Sequence, residues 1–232
     1  MKKRILSLFL ALIFLALPIF SLTSCSEVSA CEYLEERDIQ GRDIHYVEMS
    51  VKGYGKVVIL LDATTAPVTV NNFLSLVNQG FYDGLTFHRI ITDFMIQGGD
   101  PKANGSGGSA NKIYGEFSSN GHENDISHIK GVISMARGQD MNSASSQFFI
   151  CNADASASLD GLYAAFGYVV EGLDFIDRIT EDFFPKTLYY EYYGHPMYHN
   201  YWAYYGNGAI EKKSDQPVIK YIKVLENYTP KG

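Results

Sequence analysis

The stretch Phe87-His-Arg-Ile-Ile-Thr-Asp-Phe-Met-Ile-Gln-Gly-Gly-Asp100 places one obligatory cation, Arg89, among aromatic and apolar residues and closes on Gly98-Gly99. A guanidinium is costly to bury without a partner. One framed by Phe87, Ile91, Phe94 and Met95 suggests an apolar surface pocket with a fixed hydrogen-bond donor at its rim. Such a pocket would hold an uncharged group and polarise it. The competing reading is an arginine that snorkels from a half-buried strand to solvent. Two further segments could complete the site. Gly131-Val-Ile-Ser-Met-Ala-Arg137 is apolar and ends in a cation. In Ser146-Gln-Phe-Phe-Ile-Cys-Asn152, strand alternation puts Gln147 and Phe149 on one face, Phe148 and Ile150 on the other. The same parity joins Met95 to Gln97. Were the two strands neighbours, these four residues would form one patch of two amides and two apolar side chains. Alternatively, Phe149 and Met95 are core and both glutamines cap strand edges.

Strands dominate the chain that must position these groups. Residues 46–51 and 56–62 flank Lys52-Gly53-Tyr54-Gly55, a glycine-bearing hairpin turn. Val57-Val58-Ile59-Leu60-Leu61 is apolar on both faces, so that strand is central or covered by a helix. Thr64-Thr65-Ala66-Pro67 offers capping hydroxyls and an early proline. Val70, Phe73, Leu74 and Val77 then recur at helical spacing until Gly80 ends the run. Residues 105–109, rich in glycine and serine, read as a flexible connector or as a phosphate cradle. No Lys-Ser/Thr follows them, as a phosphate-binding loop requires.

The N-terminal end bears on location. Lys2, Lys3 and Arg4 precede an apolar run over 5–20, followed by Leu22-Thr-Ser-Cys25. Charge, apolar core and small residues before a cut are the anatomy of a secretory signal. The last four residues look like a bacterial lipobox, whose Cys25 is lipid-modified and becomes the mature N-terminus. The alternative is an uncleaved anchor, since the run approaches the ~20 residues of a spanning helix. Either way the rest is expected at the cell membrane, on its extracytoplasmic side. We read 1–24 as signal peptide, 25–43 as a tether and 44–228 as one domain, roughly 200 residues sufficing for one substantial core. Removing the three leader cations from 19 Lys+Arg leaves 16 against 26 Asp+Glu, a net charge of −10. That argues against nucleic acid and against electrostatic adhesion to anionic lipid. Cys31 and Cys151 then remain, one in the tether and one in an apolar strand, either as thiols or as a disulfide pair, and no metal-ligand spacing occurs.

Several blocks together carry a resemblance: Phe87-His-Arg-Ile-Ile, Phe94-Met-Ile-Gln-Gly-Gly-Asp100, Gly131-Val-Ile-Ser-Met-Ala136, Ser146-Gln-Phe-Phe-Ile-Cys151, and Leu159-Asp-Gly with Phe166-Gly. In order and close to spacing they resemble the cyclophilin peptidyl-prolyl isomerases, over residues 44–180 and again over 217–225. The resemblance implies an all-β fold, a closed eight-stranded antiparallel barrel capped by two α-helices, with the active groove on its outer wall. The helix over 70–77 fits one cap; Leu173, Ile176 and Ile179 fit the other. It implies Arg89 as the catalytic donor, with Gln97 and Phe94 beside it. Phe94, Met95, Phe149 and Leu159 would form the proline pocket. Gln97 and Gln147 would hold the peptide backbone and orient the arginine, while Ala136 and Arg137 form an edge strand that pairs with substrate. Three departures stand out. Arg137 replaces a frequent Asn, Ser158 stands where Trp often precedes Leu-Asp-Gly, and Tyr163 takes the place of a pocket His. The missing Trp should weaken binding of the cyclic peptide drug associated with the family. No cofactor or metal is implied.

The chemistry follows from the bond itself. Rotation about X–Pro breaks amide resonance, behind a barrier of ~18–20 kcal/mol. In the twisted transition state the proline nitrogen becomes pyramidal and regains a lone pair, so a donor aimed at it favours that state over the planar one. The expected function is therefore a monomeric, lipid-anchored peptidyl-prolyl cis-trans isomerase acting on proline-containing polypeptides and assisting the folding of exported proteins. Two alternatives are a non-catalytic proline-peptide binding module and a carbohydrate-binding lipoprotein. The second would use a tyrosine-rich insertion over 183–208, which holds eight of the 17 tyrosines together with Phe183, Phe184 and Trp202. So long a connection is unusual in a compact domain. It reads as an aromatic platform for client chains or glycan, or as a flap packed on the barrel.

Overall fold

The computed structural model describes residues 40–183 and 207–229. The signal peptide, Cys25, Cys31, nearly all of the tether and residues 184–206 of the tyrosine-rich insertion lie outside the described residues. Eight strands build the domain: β1 (Ile44–Val51), β2 (Gly55–Asp62), β3 (Phe87–Ile91), β4 (Met95–Gly98), β5 (Val132–Met135), β6 (Phe148–Cys151), β7 (Ala165–Glu171) and β8 (Ile219–Val224). Among the described residues three α-helices accompany them: α1 (Pro67–Asn78), the single turn α2 (Ser156–Leu159) and α3 (Asp174–Phe183).

The strands form one curled sheet in the order β3-β4-β6-β5-β7-β2-β1-β8, every pair antiparallel. The expected closed barrel is not what forms: continuous pairing stops at β3 and β8. The reason lies in the outer edge of β3, which is divided between two partners. Its start meets the approach to β8, through a Thr86–Val218 bridge and the Phe87 amide on the Pro217 carbonyl at 3.0 Å. The rest is taken by residues 208–210, with the Ile90 amide on Gly208 at 2.9 Å and the Ile210 amide on His88 at 2.8 Å. With residues 208–210 paired along this edge, no continuous β3–β8 ladder forms.

The apolar pattern of β2 has the expected cause. The strand lies between β1 and β7, with Val57, Ile59 and Leu61 in the main core and Leu60 in a second cluster with Ile126, Ile129 and Tyr168. Packed against β8 and β2, α1 buries Val70, Phe73, Leu76 and Val77, whereas Leu74 is only partly covered. The Phe73 ring meets Tyr82, Phe148 and Phe166 at centroid distances of 5.0, 5.6 and 5.3 Å. In α3, Phe175, Ile176 and Ile179 face the core, and Leu173 packs against it from just before the helix. Cys151 is a buried free thiol.

The start of α1 corrects the expected cap. Pro67 takes the first helical position, but the cap residue is Ala66 and no hydroxyl caps the helix. Thr65 instead donates to Asp62. The orphan amides of Val68 and Thr69 donate to the two carboxylate oxygens of Glu116, at 2.9 and 2.8 Å. A buried carboxylate thus satisfies two amides and complements the positive end of the helix dipole. Glu116→Ala should lower unfolding stability by about 2 kcal/mol, the scale of a charge-assisted cap. Glu116→Gln should retain part of it, as read from urea midpoints at constant slope.

Candidate active site

Strand register gathers the site. Across the β3–β4 hairpin Arg89 stands opposite Gln97; across β4–β6 Gln97 stands opposite Phe149; across β5–β6 Phe149 stands opposite Ser134. Antiparallel partners project to the same side, so Arg89, Gln97, Phe149 and Ser134 form one row on the outer face of the sheet. The next row carries Ile91, Met95 and Cys151. Phe148, Ile150 and Ile96 point the other way, into the main core. Asn152 fastens the turn between β3 and β4: its Oδ1 accepts the Phe94 amide at 2.6 Å, and its Nδ2 donates to the Ile91 carbonyl at 2.8 Å.

A chain of hydrogen bonds fixes the guanidinium. Arg89 Nε donates to the Asn207 carbonyl at 2.6 Å, and its NH1 donates to Gln97 Oε1 at 3.3 Å. Gln97 Nε2 passes the bond on to Gln147 Oε1 at 2.9 Å. Gln147 Nε2 ends on the carbonyls of Gly105 and Gly107, at 3.0 and 2.7 Å. The glycine–serine loop therefore serves as an acceptor. Its amides do not form a phosphate cradle, because those of Gly105, Ser106 and Ser109 already donate to Asp100, Asn104 and Ser146, at 2.6, 3.0 and 3.1 Å. Glycine is obligatory at 107, where a Cβ would stand 2.0 Å from Asp100 Oδ1. Burial lowers the pKa of Arg89, with Tyr163 acting weakly the other way, and a guanidinium stays protonated under any such shift. Burial also lowers the pKa of neighbouring His88, so a neutral imidazole sits beside the cation near neutral pH.

Beside the arginine lies a slot of about 350 Å³, within the range of small-molecule sites. Phe149, Met95 and Leu159 wall it and are 5%, 2% and 6% exposed. They belong to a cluster separate from the main core, with Phe94, Ala136 and Tyr163 partly buried at its margin. The glutamines are links in the arginine's support rather than strand caps. Tyr163 meets Phe149 edge-on at 5.8 Å. Arg137 lies over the Tyr163 ring at 4.7 Å. Ala136 and Arg137 follow directly on β5, outside any strand, and the Ala136 amide is engaged by the Gln147 carbonyl at 2.9 Å.

Sequence reasoning missed the support beneath Phe149. His128, buried to 1% exposure, stacks on that ring at 6.0 Å and 19°. Its Nδ1 is 2.7 Å from Asp160 Oδ1, and its Nε2 is 2.9 Å from Ser134 Oγ. Asp160 lies within the Leu-Asp-Gly block, so its presence was visible but its partner was not. The Asn207 carbonyl leaves no side-chain signal at all. Burial works against ionisation of Asp160, but hydrogen bonds from His128 and Ser127 outweigh it and hold the carboxyl below its ordinary range. A depressed carboxylate contributes stability above its unfolded pKa, and that stability is lost as pH falls through the native one. Asp160→Asn should therefore flatten the fall in Tm between about pH 5 and pH 2. The difference should stay below about 1 kcal/mol, since the carboxylate is partly exposed.

Residues 46–187 match the family profile of the cyclophilin type peptidyl-prolyl cis-trans isomerase/CLD. Over 126 residues the chain is 44% identical to peptidyl-prolyl cis-trans isomerase ppi1 of Schizosaccharomyces pombe, covering 54% of this chain and 79% of that protein. It is likewise 44% identical over 126 residues to peptidyl-prolyl cis-trans isomerase B of Bacillus subtilis, covering 54% and 83%. A cyclophilin type isomerase of Cryptosporidium parvum, crystallised in the presence of the dipeptide Ala-Pro, superposes with a TM-score of 0.61 at 25% identity, covering 78% of this chain and 99% of that one. The matched span runs from β1 through α3 and contains both rows of site residues, and the chain belongs to the cyclophilin type peptidyl-prolyl cis-trans isomerase family.

Proposed function

We propose that the peptidyl-prolyl isomerase activity of this chain resides in the slot beside Arg89. The proline ring of a client segment enters against Phe149, Met95 and Leu159, while the preceding peptide bond lies next to the guanidinium. As the bond twists, the nitrogen gains a lone pair, and an Arg89 N–H donates to it. The interaction is absent in the planar ground state, so it lowers the barrier rather than deepening binding. The apolar wall keeps water from competing for the same proton donor. Gln97 and Gln147 hold the donor in place and offer amide groups to the client backbone.

The observation that carries this reading is the orientation of Arg89, held by two neutral oxygens at the mouth of an apolar slot. Arg89→Ala should lower kcat/KM on an Ala-Pro peptide by about 10²–10³, the cost of losing one preorganised electrostatic group. Phe149→Ala should act mainly through KM. Equal rates for wild type and Arg89→Ala would leave a binding groove without turnover.

The same proposal places the domain on the outer side of the cell membrane, tethered by a lipid on Cys25, where it assists exported chains as a monomer. Its support is the leader pattern of Lys2, Lys3 and Arg4, an apolar run and Leu22-Thr-Ser-Cys25. Cys25→Ala should abolish palmitate labelling and release the protein from the membrane fraction. Unchanged fractionation without labelling would favour an uncleaved anchor.

A further inference from the structure

We infer that Arg137 makes this enzyme selective for client segments carrying a carboxylate side chain within two residues of the proline; the inference rests on the slot being the substrate site. The Arg137 guanidinium lies 4.7 Å from the Tyr163 ring centroid and 5.2 Å from that of Phe117. Its Nε donates to the Leu162 carbonyl at 3.0 Å and its NH1 to the Gly138 carbonyl at 2.9 Å. Two rings and two carbonyls thus immobilise a side chain whose freedom is ordinarily costly to remove. All four partners are uncharged.

Five other cations of the domain are paired with carboxylates. Arg42 is paired with Asp62, Arg178 with Asp174, Lys130 with Asp177, and Lys56 and Lys223 share Glu48. Among the described residues Arg137 has no carboxylate partner. It stands on the ridge between the proline slot and an adjoining hollow of about 270 Å³ that includes Gly107, Ser143 and Ser145. Among the described residues no acidic side chain lines either space, although the chain carries 26 Asp+Glu against 19 Lys+Arg. The groove is a positive strip on an acidic protein. A client residue flanking the proline must cross this ridge, where a fixed planar fork matches a carboxylate and repels an ammonium.

The test uses the full mature protein and Xaa-Pro peptides with Glu, the isosteric Gln, or Lys placed in turn at the two positions on either side of proline. Wild type should favour Glu over Gln by about two- to fivefold in kcat/KM at one of these positions, with Lys below Gln. The preference should shrink towards unity at about 0.5 M salt, where the screening length is only a few ångström. Arg137→Gln should erase the Glu-to-Gln ratio, and Arg137→Lys should keep part of it. A wild type that turns over the Gln peptides but shows no Glu preference overturns this inference alone. A preference that survives in Arg137→Gln also overturns it. Failure of every peptide to turn over would instead refute the reading of the slot.

Discussion

A cation at the lip of an apolar slot must be held in a fixed orientation, and this requirement organises the molecule around Arg89. The Gln97 amide oxygen and the Asn207 carbonyl accept from the arginine; Gln147 holds Gln97 and is itself held by the Gly105 and Gly107 carbonyls. The carboxylate that finally stabilises the arrangement, Asp100, sits behind the loop and spends its charge on backbone amides. Negative charge thus rigidifies the support from a position where it does not cancel the donor.

Strand β6 joins this support to the core. Phe148 and Ile150 lie among the interior side chains that α1 covers, while Phe149, between them, walls the slot. A close-packed interior transmits displacement rather than absorbing it. The slot is therefore formed before any client arrives, so binding need not order its walls. His128 adds a second brace from the opposite side, fixed through Asp160 and Ser134.

What could be read from the sequence was what depends on local period. Parity along β4 and β6 placed Met95, Gln97, Gln147 and Phe149 together because side-chain alternation is a property of any strand. Helical spacing identified α1 for a similar reason, whereas the buried residues of α3 were expected only from the family resemblance. Contacts between distant segments were not legible. Glu116 caps a helix 47 or 48 residues away, and nothing near Thr64-Thr65 signals that a carboxylate will replace their hydroxyls. The open seam arises because residues 208–210 compete for the edge of β3, a contest decided by backbone groups that every residue possesses. Arg89 itself was legible as a cation in an apolar frame, but its acceptor at Asn207 is a main-chain oxygen 118 residues along the chain.

The attachment of residues 208–210 has an evolutionary corollary. Upstream, Phe183 packs on the core at the end of α3. Downstream, Gly208 adopts a φ of +78° and lies so close to β3 that a Cβ there would stand 2.4 Å from Ile91. Both ends of the intervening stretch are thus anchored on the domain. The entropy of closing a loop grows only logarithmically with its length. A change of length between Phe183 and Asn207, whose carbonyl must stay on Arg89, would therefore cost little closure entropy, giving lineages a site at which to graft new recognition beside the catalyst.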